Sequence, residues 1–168
     1  MEIDLKYEIL KSEKAEPMIS WSLKKFDSLT PNELYAILQL RNEVFVVEQH
    51  CVFQDADNKD QSSWHLMAWE NETLVAYARI IPRGVAYEKL PSIGRVVTSS
   101  RVRGTGIGRI LMQRSIQELE RLFGQSSIKL GGQLYLKRFY ESLGFVQSSE
   151  IYLEDGIEHI EMIRPTHH

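Results

Sequence analysis

A single cysteine, Cys51, in a chain of 168 residues excludes an intramolecular disulfide. The opening residues carry no apolar signal segment. Both absences point to the cytoplasm. No apolar run approaches the roughly 20 residues needed to cross a bilayer; Val44-Phe45-Val46-Val47 is typical of the longest, so no membrane association is expected. An excess of one charge is missing too. Lys+Arg of 20 stand against Asp+Glu of 23, a net charge of -3 with no basic block. Phosphate neutralisation dominates general nucleic-acid affinity, so nucleic acid is not an expected partner. Repeats and low-complexity tracts are also lacking. What remains is 43% hydrophobic and 26% charged residues, in a length that supports one full hydrophobic core and not two.

Residues 1–17 are charged and weakly patterned, and read as an extension, with Met18 as an alternative start. The expected domain spans 18–165, followed by a tail at 166–168. Ile19–Leu23 alternates as a strand. Thr30-Pro31-Asn32-Glu33 forms a capping box with proline in the first turn, opening a helix to about Val44. A polar loop is expected over 48–63. Trp64–Trp69 and Thr73–Ile81 read as a hairpin and Ile93–Thr98 as the next strand. Helical spacing then runs from Ile107 to Phe123, with Gly124 as its stop. A short strand covers Ser127–Leu130, and Leu136, Phe139, Tyr140 and Leu143 repeat at helical intervals. Asp155-Gly156 joins Phe145–Leu153 to Ile157–Ile163 in a second hairpin. The order predicts one mixed α/β domain with antiparallel and parallel strand pairs.

Three of the ten glycines fall at Gly104, Gly106 and Gly108, between a β-branched strand and a helix start. That order gathers bare backbone N–H groups at the positive end of a helix dipole, and glycine keeps side chains out of an anion's way. A phosphate-bearing ligand is expected. Two common phosphate motifs fail on spacing. A P-loop needs Lys-Ser/Thr after its last glycine, where Arg109-Ile110 stand. A dinucleotide fingerprint beginning at Gly104 needs glycine at 109, which is arginine. Another phosphate ligand, such as a nucleotide, stays open on these residues alone.

Arg103, Gly106 and Gly108 match the pattern Arg/Gln-x-x-Gly-x-Gly and so resemble the pyrophosphate motif of the GNAT acetyltransferase superfamily. Phe139-Tyr140-Glu141-Ser142-Leu143-Gly144-Phe145 resembles that family's later tyrosine-bearing helix. Leu40–Gln49, Cys51 and Asp155–Met162 resemble its ElaA-like branch, and the likeness covers most of Ile19 to Pro165. The resemblance implies a central mixed sheet of about seven strands, flanked by helices and splayed between the fourth and fifth. It also implies acetyl-CoA (coenzyme A) as cofactor, a small-molecule or peptide amine as acceptor, and direct transfer. It is compatible with a homodimer. A module that binds acyl-CoA without catalysing transfer remains the alternative.

Carried over by position, the resemblance implies that the backbone of Val96, Val97 and Thr98 pairs with the pantetheine arm, and that the Val96 N–H polarises the thioester carbonyl. Amides of Arg103, Gly104, Thr105, Gly106, Ile107, Gly108 and Arg109 would hold the diphosphate. Tyr140 would protonate the departing thiolate, although it also sits on an apolar stripe where tyrosine commonly packs. A phenol of ordinary pKa about 10 keeps its proton at neutral pH. Some family members place a base in the strand before the loop, at a point where this chain has Ser92. Ser92 cannot act as a base unaided; Glu48, His65 and His159 are candidates for the base or the acceptor site, each with a plain structural reading beside it, and a relayed water is an equal alternative for the base. Arg95 either faces an anionic substrate or pairs with a carboxylate beneath the sheet. Asp55, Asp57 and Asp60 near His65 lack the glycine of a calcium loop and read as a solvated acidic loop, so no metal is expected. Cys51 reads as packing. Trp21, Trp64 and Trp69 read as core, with Trp64 within reach of the acceptor mouth.

Overall fold

The computed structural model describes residues 18–166. The extension expected over 1–17 and the histidines of the tail lie outside them. Strands β1 (Ile19–Lys25), β2 (Trp64–Glu70), β3 (Thr73–Ile81) and β4 (Ser92–Thr98) form an antiparallel meander. β5 (Ile128–Gln133) runs parallel to β4, and β8 (Ile157–Arg164) closes antiparallel on β5. The strand expected over 145–153 is broken into β6 (Val146–Gln147) and β7 (Tyr152–Glu154), which pair with successive parts of β8. The break is a bulge, because residues 148–151 face only residues 160 and 161 of β8. Ser149 Oγ fills it by accepting from the Glu161 N–H at 2.8 Å. The order β1-β2-β3-β4-β5-β8-β6, with β7 also on β8, therefore gives the mixed sheet that the sequence predicted.

Helices cover both faces. The capping box at Thr30 forms as expected: its Oγ1 accepts from the Glu33 N–H at 3.1 Å, and Glu33 Oε2 accepts from the Thr30 N–H at 2.9 Å. It opens α1 (Pro31–Arg41), which buries Ile37 and Leu40 against Met67, Leu74, Tyr77 and Val97. Helix α2 (Ile107–Phe123) buries Leu111, Met112, Ile116 and Leu119 on the opposite face, against Ala76, Ala78, Ile80 and Ile93. β3 is thus covered on both sides, and Leu74 to Ile81 are all buried. The tryptophans sit at the margins of these cores, only partly buried. Trp21 lies under Arg114 and Trp64 under Lys25. No helix among the described residues is long and apolar enough to cross a membrane.

Two departures from the expected elements shape the site. After Arg41 the chain widens into a π-helix, Asn42–Glu48, in place of ending near Val44. The Gln49 N–H reaches the Val44 carbonyl at 3.3 Å and the Cys51 N–H the Val46 carbonyl at 3.1 Å, both five residues back. The second departure is in β4. Tyr77 pairs with Val97 and Arg79 with Gly94, so Ala78 alone faces both Arg95 and Val96. Arg95 takes up the extra length with φ of 49°.

Candidate active site

The β4 bulge turns that strand away from β5. Their register pairing is confined to Ser92 opposite Lys129, beside a hydrogen bond from the Lys129 N–H to the Pro91 carbonyl at 3.1 Å. Beyond it the edge of β4 that faces β5 carries no strand among the described residues. A cleft of about 820 Å³ opens there, and its walls include β4 from Ile93 to Thr98, the π-helix, the 131–136 segment and the β7–β8 turn.

The glycine loop lies at one end. Gly104 and Gly106 have φ of 79° and 86°, so their backbone alone requires glycine. Gly106 is the N-cap of α2, a helix of 17 residues, and has no side chain to bond the first amides. Ile107 is buried in the core, which leaves only its main chain to serve a ligand. Arg109 lays its guanidinium against Ser142 Oγ at 2.8 Å and over the Phe139 ring. Thr105 Oγ1 donates to the Val102 carbonyl. Arg103 and Gly108 line the cleft.

Tyr140 stands across from β4, at the end of the short helix α3 (Lys137–Glu141). It lines the cleft and is 6% exposed. Burial raises its phenol to about 12, so the group is an acid that keeps its proton at neutral pH. The ring lies on the backbone of β5, where a Cβ on Gly132 would come within 2.9 Å of Tyr140 Cε2. Gly131-Gly132 was the overlooked signal: paired glycines inside a strand mark a close approach. Sequence reasoning also missed the Gln49–Gln133 pair, whose amides bond each other across the cleft at 3.1 and 3.5 Å.

The base and acceptor candidates separate. His159 lines the cleft, stacks on Tyr152, and has Nδ1 2.7 Å from the Ile157 carbonyl and Nε2 3.5 Å from Glu154. Glu48 also lines the cleft, with its Oε2 2.7 Å from Arg103 Nη2. His65 does not reach the cleft: it is 0% exposed beneath the sheet. Its Nε2 is 3.0 Å from the Asp60 carbonyl, an obligatory acceptor, so Nε2 carries the proton and Nδ1 accepts from the Tyr77 hydroxyl at 2.7 Å. Burial lowers its pKa. His65 is therefore a satisfied structural histidine and neither the base nor an acceptor-site residue. Ser92 is 3% exposed at the closed end of the gap.

The acidic loop is not solvated, contrary to expectation. Asp60 accepts from Arg41 Nη1 and Arg79 Nη1, both at 2.8 Å. Asp57 accepts two bonds from Arg79 at 2.7 and 2.8 Å, and Asp55 Oδ2 accepts from Arg41 Nε at 2.7 Å. Arg41 and Arg79 are 0% and 2% exposed. Burial alone would raise the Asp57 and Asp60 carboxyls, but the arginine bonds and charges reverse this and hold both below the usual range. Arg95 belongs to the same network. It donates to the Asp55 carbonyl at 2.9 Å and pairs with the Asp55 and Asp57 carboxylates at 2.8 and 3.3 Å. Of its two readings, the carboxylate partner is the one realised. Cys51 is half-buried in the cleft wall rather than packed in a core, and its Sγ donates to the Asp155 carbonyl at 3.3 Å.

The acetyltransferase (GNAT) domain family matches residues 27–164. Protein ElaA of Escherichia coli is 42% identical over 149 residues, covering 88% of this chain and 97% of that protein. A UPF0039 protein of Schizosaccharomyces pombe is 43% identical over 83% of this chain and 92% of its own length. The crystal structure of an acyl-CoA N-acyltransferase from Pseudomonas aeruginosa superposes with a TM-score of 0.84 at 46% identity, over 88% of this chain and 99% of that one. The matched span holds the bulged strand, the glycine loop and the tyrosine helix together: this chain belongs to the GNAT acetyltransferase superfamily, in its ElaA-like branch.

Proposed function

We infer that the protein is an N-acetyltransferase, moving an acetyl group from acetyl-CoA to a primary amine by direct transfer. The observation that carries this reading is the edge of β4 beyond Ser92, which carries no strand among the described residues and leads into a cleft lined by Tyr140 and by Arg103 and Gly108 of the glycine loop. An extended amide-bearing arm fits such an edge as an added strand would. The residues present suit the cofactor. Amides at the N-terminus of α2 receive the diphosphate, and Gly108 leaves room for it. Bound there, acetyl-CoA would supply an activated thioester.

The chain's own groups do the rest. The Val96 N–H, just past the bulge, is the donor for the carbonyl oxygen as negative charge develops on it. One preorganised donor of that kind contributes on the order of 3 kcal/mol to the barrier. Tyr140 gives its proton to the departing sulfur. The side of the cleft formed by the end of the π-helix, Glu48 and Gln49, and by His159 receives the amine. Titration calorimetry with coenzyme A and acetyl-CoA tests the binding half of this reading, and amine-dependent thiol release over a panel of amines tests the chemistry. Binding without release would assign the protein to acyl-CoA sensing instead.

A further inference from the structure

Arg103 opens the glycine motif, yet its guanidinium is already engaged. One nitrogen, Nη2, donates both to Glu48 Oε2 at 2.7 Å and to the carbonyl of Thr98, the last residue of β4, at 3.0 Å. Glu48 closes the π-helix, whose next residue, Gln49, is tied to Gln133 on the far wall. Glu48, Thr98, Arg103 and Gly108 all line the cleft. The ion pair therefore stands between the C-terminal end of β4 and the glycine loop.

We propose that the Glu48–Arg103 pair is a latch: the diphosphate of the entering acyl-CoA takes Arg103, and the freed Glu48 carboxylate holds and deprotonates the acceptor ammonium. The proposal rests on the acetyltransferase reading and adds the missing base to it. The pair is poor as a structural tie, because the Arg103 and Glu48 side chains are 45% and 31% exposed. A diphosphate offers several anionic oxygens to a guanidinium fork and outcompetes one carboxylate. Of the cations lining or bordering the cleft, Lys59 on the neighbouring loop and Arg95 on the β4 bulge are paired with Asp57 at 3.7 and 3.3 Å. An ammonium is the partner that completes the charge of the released Glu48.

The proton balance closes. The ammonium gives one proton to Glu48 and becomes a nucleophile. Its nitrogen bonds the acyl carbon as the carbon–sulfur bond breaks, and the sulfur takes the Tyr140 proton. The new amide nitrogen then returns a proton to the phenolate, and Glu48 releases its own to water. The latch also couples the two substrates. Whatever separates Glu48 from Arg103 favours both the diphosphate and the amine, so each tightens the other.

The test is calorimetry of coenzyme A, and of pantetheine, which lacks the diphosphate, against wild type and Glu48→Gln. Glu48→Gln is expected to bind coenzyme A about three- to fivefold more tightly, the size of one exposed ion pair, with pantetheine affinity unchanged. In an Arg103→Gln background the same substitution should have no effect on coenzyme A, because the shared partner is gone. Amine-dependent thiol release at saturating acetyl-CoA should fall at least about tenfold in Glu48→Gln. Unchanged or weaker coenzyme A binding by Glu48→Gln overturns the latch, and unchanged turnover overturns the base. Wild type that neither binds coenzyme A nor releases thiol fails the acetyltransferase reading itself, a different outcome from a variant that merely matches an active wild type.

Discussion

At Gly108 the backbone is helical, and an added Cβ would meet only Thr98 Cγ2 at 3.9 Å, an ordinary contact. Neither conformation nor packing within the protein asks for glycine there, in contrast to Gly104 and Gly106 with their positive φ. What remains is a ligand that needs the space. Gly108→Ala should therefore raise stability, by up to about 1 kcal/mol from helix propensity, while weakening coenzyme A binding at least tenfold, roughly 1.4 kcal/mol. Thermal melts and calorimetry read the two effects separately, and a variant that gains stability without losing affinity would remove the ligand argument. Tyr140 calls for the opposite signature. Tyr140→Phe keeps the ring on Gly132 but removes the acidic proton, so coenzyme A affinity should hold while turnover drops about 100-fold or more. Gly132→Ala attacks the same residue from behind: a methyl 2.9 Å from the ring must displace it, costing stability by about 1–3 kcal/mol as well as turnover.

Among the elements, the loop between the π-helix and β2 is the least legible in sequence and the most strongly held. Its three aspartates look solvated because their partners lie far along the chain: Arg41 on α1, Arg79 on β3 and Arg95 on the β4 bulge. No local periodicity encodes such pairs. The π-helix was hidden for a related reason, since its five-residue bonds follow a seam that tertiary packing selects. The capping box, the glycine turn and the Asp-Gly hairpin were readable because each is satisfied within a few residues. The network makes a pH-dependent prediction. Asp57 and Asp60 bind protons less readily when folded than when unfolded, so their stabilisation is fully present above the ordinary carboxylate pKa near 4. It should drain away as pH falls below that value toward their lowered pKa values. Asp60→Asn leaves Arg41 and Arg79 short of a buried counter-charge and should cost about 3–5 kcal/mol at neutral pH. It should also flatten the acid limb of a urea-denaturation series, and a limb of unchanged steepness would mean that other carboxylates set it.

For the molecule as a whole, the sheet is two parts with one weak seam. The β1–β4 meander and the β5–β8 unit meet through the single register pair at Ser92 and Lys129, and the cleft is the space where further pairing would have been. A ligand bonded along β4 and seated beside Tyr140 would bridge both parts, so it should stabilise them together instead of tightening one. Coenzyme A at about 100 times its Kd adds roughly 2.7 kcal/mol by mass action, which for a domain of this size moves Tm by about 5–10 °C. Pantetheine, reaching the strand edge but not the glycine loop, should give a smaller shift at matched concentration, and ATP little or none. Hydrogen exchange locates the effect. Amides of Val96 to Thr98, those at the start of α2, and those of β5 across the gap should all slow when coenzyme A is added. Protection confined to the glycine loop, with β4 and β5 exchanging as before, would mean that the phosphate end is held while the arm never enters the seam, and the direct-transfer geometry would then have no support.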